Sequence, residues 1–138
     1  MTDDRLTTDL WVAAHLRTAN QHGVPMVVVR RGDRHRGAVM VKLHHIGLGW
    51  SVLTQVRRDQ RLGWLSGTGP TLVAESEADR YLERQVRYDP DVWVIEVEDR
   101  HGRHWFDGPR LDVPTPTAHG ATAAEASASD PDRANVTR

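Results

Sequence analysis

Apolar positions recur in two rhythms along the first hundred residues. Val12, Ala13, Leu16 and Ala19 return at helical spacing, with Asp9 placed to cap the start and Gly23 to stop the end, which predicts a helix over 10–22. Pro25 then opens a strand over 26–31, whose Val27-Val28-Val29 run is β-branched. After a polar turn ending at Gly37, a second strand over 38–46 places Val39, Val41 and Leu43 on one face and Met40, Lys42 and His44 on the other. Gly47 and Gly49 bracket the next turn, Trp50, Val52 and Thr54 alternate along a third strand to residue 56, and a fourth covers 62–66. Ser76 followed by Asp79 resembles a capping box and opens a second helix to residue 88, with Ala78, Leu82 and Val86 on one side. Asp89-Pro90 ends it, because the residue before proline is driven out of helical geometry. A last strand over 92–98 carries Trp93, Ile95 and Val97 on one face, and His104-Trp105-Phe106 suggests a short sixth. The order α-β-β-β-β-α-β, with one more strand optional, predicts an α+β fold. Its antiparallel or mixed sheet has five to six strands, with both helices packed on one face.

The chain has 138 residues and no cysteine. That length suits one domain with a tail. Residues 8–107 hold the patterned part. Residues 111–138 contain no Phe, Trp or Tyr and are rich in Ala, Thr, Ser, Pro and Asp, so 108–138 is expected to be a disordered tail. The absence of cysteine excludes thiolate zinc sites, iron–sulfur clusters and a cysteine nucleophile, and suits a reducing compartment. The longest purely apolar run is five residues, 10–14, against roughly 20 for a bilayer span. The first residues lack the basic-then-apolar pattern of a secretory signal. A soluble cytoplasmic protein without membrane association is the expectation.

Charge changes the picture, because a formal net of −1 hides two opposed blocks. Residues 30–61 carry eight bases and two acids, whereas 75–99 carry nine acids and three bases. Such blocks either neutralise each other in the fold or mark an anionic partner. Of the 18 bases only Lys42 is lysine, a bias that GC-rich codon usage also produces.

Three stretches, in this order, resemble a known family. They are Leu10-Trp11-Val12-Ala13-Ala14, then Val27-Val28-Val29-Arg30-Arg31-Gly32-Asp33 through Gly37-Ala38-Val39. The third, Tyr88-Asp89-Pro90-Asp91-Val92-Trp93-Val94-Ile95-Glu96-Val97-Glu98-Asp99, contains the most specific element, Asp-Pro-Asp-Val-Trp. Over residues 8 to about 107 the chain resembles domain of unknown function 1491, found mainly in alphaproteobacteria. The resemblance implies a small cytosolic domain and assigns no activity, cofactor or catalytic residue.

Chemistry is therefore sought in the side chains themselves. Among eight histidines, His44 and His45 are adjacent on a strand and point to opposite faces, while His101 and His104 span a turn and are the candidate metal ligands, with Asp99 or Asp107 as a third. The order α-β-β-β-α-β is also that of restriction-endonuclease-like cores. Asp33 and Lys42 invite that comparison, but Met40 stands where an acid is needed, so Asp59 or Glu75 would have to supply a carboxylate. No Gly-x-Ser-x-Gly elbow and no phosphate loop are present, and no cofactor is implied. The remaining constellation is basic. Arg30, Arg31, Arg34 and Arg36 crowd one turn, and Arg57, Arg58 and Arg61 crowd another two connections later. In a meander these turns share one end of the sheet, where they would merge into an arginine-rich rim. The expected function is a non-enzymatic interaction module that docks a protein or an assembly on this rim. The alternatives are a nucleic-acid-binding module with Trp50 or Trp64 as a stacking platform, and a metal-dependent hydrolase. Self-association through the edge strand, with the rim meeting the Glu96–Glu98–Asp99 segment of a second copy, is a further expectation.

Overall fold

The computed structural model describes residues 6–112. Two helices and five strands appear in the expected order: α1 (Thr8–Gln21), β1 (Met26–Arg30), β2 (Val39–His45), β3 (Gly49–Arg58), β4 (Arg61–Ser66), α2 (Glu75–Tyr88) and β5 (Trp93–Asp99). The His104-Trp105-Phe106 segment forms no sixth strand. It is an irregular turn that tucks Phe106 under α1, where the ring stacks 5.2 Å from Trp11. None of the helices among the described residues is long and apolar enough to cross a membrane.

Helix starts differ from the sequence expectation in both cases. Thr7 and Ala74 are the N-cap residues, and neither makes a side-chain cap bond. Asp9 instead sits in the first turn of α1 and accepts from the Thr7 hydroxyl and the Leu10 amide, which favours the helix through its positive end. The expected capping box at Ser76 does not form, since Ser76 lies inside α2.

The strands form one mixed sheet in the order β1-β5-β2-β3-β4. The last strand in sequence is inserted beside the centre. It runs antiparallel to β1, with Val28 opposite Ile95, and parallel to β2, with Val41 opposite Ile95. The Glu96–Glu98–Asp99 segment is therefore an interior strand, and the edges are β1 and β4. Residues 109–112, expected to begin the tail, run alongside β4: the Trp64 amide donates to the Pro109 carbonyl and the Leu111 amide donates to the Trp64 carbonyl. The rest of the expected tail lies outside the described residues.

The helices lie on opposite faces of the sheet, not on one. Val12 and Ala19 of α1 pack with Val39, Val41, Leu43, Leu53, Trp64, Trp93, Ile95 and Val97. Ala78 and Leu82 of α2 pack with Val52 and Val94. Adjacent residues on a strand alternate between these two cores, so β2, β3 and β5 are buried on both sides. A strand buried on both faces reads as a near-continuous apolar run, and Val92-Trp93-Val94-Ile95 is one.

Candidate functional site

The β1–β2 loop and the β3–β4 hairpin do meet at one end of the sheet. Val39, at the start of β2, donates its amide to the side-chain oxygen of Gln55 at 2.7 Å, and β3 then continues past β2 to pair Arg57 with Leu62 and Arg58 with Arg61. Between loop and hairpin, with the start of α1 as a third wall, lies a cleft of about 690 Å³. Arg36 stands on one bank and Arg57 on the other. Leu6, Trp11, Val39 and Leu62 provide apolar surface, and Thr8, His35 and Gln55 add to the polar lining. No acidic residue is among the described residues that line it. Gln55 gives its oxygen to Val39 and keeps its amide nitrogen as a donor, alongside the guanidinium groups of Arg36 and Arg57.

The seven arginines separate into three groups. Arg30, Arg31 and Arg34 are engaged. The Arg30 guanidinium donates to the Pro90 carbonyl at 2.8 Å, Arg31 lies 5.1 Å from the Trp93 ring centroid, and Arg34 pairs with Asp9 at 3.3 Å. Arg36 and Arg57 flank the cleft. Arg58 and Arg61 are cross-strand partners, and strand alternation puts them on the hairpin face opposite Arg57. Among the described residues, no carboxylate lies within ion-pair distance of Arg36, Arg57, Arg58 or Arg61, while the acids of β5 are paired elsewhere: Glu96 with Lys42, Glu98 with His44 and Asp99 with Arg103. The basic block is thus only partly neutralised by the fold.

The loop that carries Arg36 is held rigidly. Asp33 accepts from the amides of Arg36 at 2.8 Å and His35 at 3.1 Å, and these two bonds hold its carboxyl below the usual range. Gly32 and Gly37 press against the backbone at Asp91, and a Cβ on either would overlap the Asp91 carbonyl oxygen.

Neither tryptophan proposed as a stacking platform stands at the cleft. Trp64 is 0% exposed, its indole nitrogen donating to the Asp107 carbonyl at 2.8 Å. Trp50 lies at the far end of β3, stacked 4.1 Å from His44. The cleft's aromatic residue, Trp11, packs in the α1 layer against His15 and Phe106.

A second polar cluster lies on the α2 face, and the sequence reading missed it. The lone lysine, Lys42, is 6% exposed and its ammonium group reaches Glu75 and Asp79 of α2, both at 2.8 Å, and Glu96 of β5 at 3.7 Å. It also sits 4.8 Å from the Trp50 ring centroid. Burial works against the charged ammonium, but its hydrogen bonds to Asp79 and Glu75 outweigh that and raise its pKa above the usual lysine value. Glu75 does fold back toward Lys42, yet as an ion-pair partner, and Asp33 is committed to its own loop. The one sequence signal for this cluster was the isolation of a single lysine on an otherwise arginine-based chain.

His101 and His104 do not converge. His101 is exposed, whereas His104 is buried against Trp64, with ring centroids 5.3 Å apart, and its Nδ1 accepts the Phe106 amide. Asp99, the suggested third ligand, is saturated by the amides of His101 and Arg103, the Arg103 guanidinium and the Trp105 indole. Among the described residues, no group of three or more His, Asp or Glu side chains is arranged to hold a metal ion.

Solved structures share this fold. A DUF1491 family protein from Caulobacter crescentus CB15 is 38% identical in its crystal structure, over 77% of this chain and 99% of that one, with a TM-score of 0.68. An NMR structure of a DUF1491 family protein from the same bacterium gives 38% identity and a TM-score of 0.67 over 78% and 97% of the two chains. A protein from A. tumefaciens, 21% identical over 80% of this chain and 98% of its own, has the same fold at a TM-score of 0.66. No curated protein matches the chain. The model of a family described as "Protein of unknown function (DUF1491)" matches residues 6–107, and the chain belongs to that family.

Proposed function

We propose that this chain is a non-enzymatic, cytoplasmic interaction module that receives an acidic protein segment at the arginine-flanked cleft. The observation that carries the reading is the position of Arg36 and Arg57 on opposite banks of one cleft whose described lining contains no acid. A guanidinium fork on each side offers bidentate hydrogen bonds to carboxylates, and arginines that no described carboxylate pairs focus a positive potential in a concave site. Arg58 and Arg61, at the tip of the same hairpin, add positive charge on the face turned away from the cleft.

The test is fluorescence anisotropy of labelled poly-glutamate and of a labelled single-stranded oligothymidylate against increasing salt. Binding of poly-glutamate that falls at least tenfold in the double variant Arg36→Glu plus Arg57→Glu supports the reading. Unchanged affinity in that variant overturns it. Preferential binding of the oligonucleotide with a steep salt slope transfers the assignment to the nucleic-acid alternative.

A further inference from the structure

The cleft is more than a charged surface. Leu6, Trp11, Val39 and Leu62 line the same cleft as the two arginines. A purely ionic ledge needs no such recess. A site of about 690 Å³ falls in the range that encloses a ligand body, and it admits a bulky side chain together with the backbone on either side of it. Arg36 and Arg57 reach this apolar surface from two different elements, so an occupant that satisfies the site has an apolar anchor with carboxylates on both sides. A nucleobase is the poorer fit. Leu6, Val39 and Leu62 are aliphatic, and Trp11 already stacks on Phe106 at 25° between ring planes.

Resting on the function proposed above, we infer that the partner is an acidic peptide segment with one large apolar side chain, which seats in the cleft while flanking carboxylates reach Arg36 and Arg57. Leu6 is 56% exposed and packs little within the fold, so it serves the anchor more than the core.

Two labelled nonapeptides test this, each with eight glutamates around a central leucine or glycine, by fluorescence anisotropy on the full chain. The leucine peptide should bind about tenfold more tightly, the lower end of what burying that side chain provides. Leu6→Ser, a change at an exposed position, and Leu62→Ser should both erase most of that preference and leave the glycine peptide unaffected. Equal affinities for the two peptides, each lost in Arg36→Glu plus Arg57→Glu, would overturn the anchor and leave the ionic docking site standing. A leucine preference indifferent to both serine variants would also overturn it, since the anchor would then seat elsewhere. No binding of either peptide removes both proposals. Stronger binding of oligothymidylate than of either peptide gives the cleft to nucleic acid.

Discussion

The indole nitrogen of Trp93 donates a 2.7 Å hydrogen bond to the backbone carbonyl of Asp33. The Asp33 amide in turn donates to the Asp91 carbonyl at 2.9 Å. Two of the three stretches through which the chain resembles its family are thus bound to each other, and the loop presenting Arg36 is anchored to the start of β5.

Replacing Trp93 with phenylalanine keeps an aromatic ring in the core and removes that donor. The Asp33 carbonyl keeps only the 3.2 Å bond from the Gly37 amide and the smaller ring leaves space in the core, at a combined cost of about 1–3 kcal/mol. The urea midpoint should fall accordingly. Amide exchange should quicken through residues 31–37 more than in β3. Uniform quickening across the chain would mean that the bond contributes to global stability alone.

Lys42 joins α2 to the sheet through Glu75 and Asp79, with Glu96 of β5 as a third carboxylate beside it. Lys42→Met leaves those acids facing one another around an apolar side chain. Glu75 and Asp79 are half exposed, so water screens part of the repulsion, and the expected loss is about 1–3 kcal/mol, below that of a fully buried pair. Because the lysine pKa is raised from 10.5 on folding, its stabilising contribution is complete below that pH and disappears as pH climbs through the raised value. Denaturation of the native chain should show this alkaline loss, and Lys42→Met should lack it.

His104 predicts an acid limb. Burial first, and then the charge of Arg110, lower its pKa from 6.5 to about 4 despite an opposing bond to the Gly108 backbone. Between those values the unfolded chain takes up the proton more readily, so stability falls as pH drops through this window, by at most about 3 kcal/mol. His104→Asn keeps an acceptor for the Phe106 amide and cannot titrate. It should be less stable at neutral pH, because it no longer fills the space beside Trp64, yet flatter between pH 6.5 and 4 in urea titrations.

Local patterns in the sequence carried far in this chain. The alternation Val39, Val41, Leu43 against Met40, Lys42, His44 describes the two faces of β2 correctly, since neighbouring strand residues have no choice but to point apart. The two arginine-bearing connections do share one end of the sheet, but not through the meander the sequence suggested, because β5 lies between β1 and β2. Which arginines face the cleft was not legible. Arg57 and Arg58 diverge by strand parity, and Arg30, Arg31 and Arg34 find partners 25 to 62 positions away that no local rule identifies.

By itself the amino-acid order determined the number, type and succession of the elements, because helical and strand periodicities, prolines and glycines act over a few residues. Only the tertiary structure decided that β5 enters between β1 and β2, and that α2 covers the face opposite α1. Those outcomes depend on burying two apolar surfaces of the same strands at once, an energy shared by residues from across the chain. The cleft between Arg36 and Arg57, and the enclosure of Lys42 by Glu75, Asp79 and Glu96, exist only once that exchange of strands has been made.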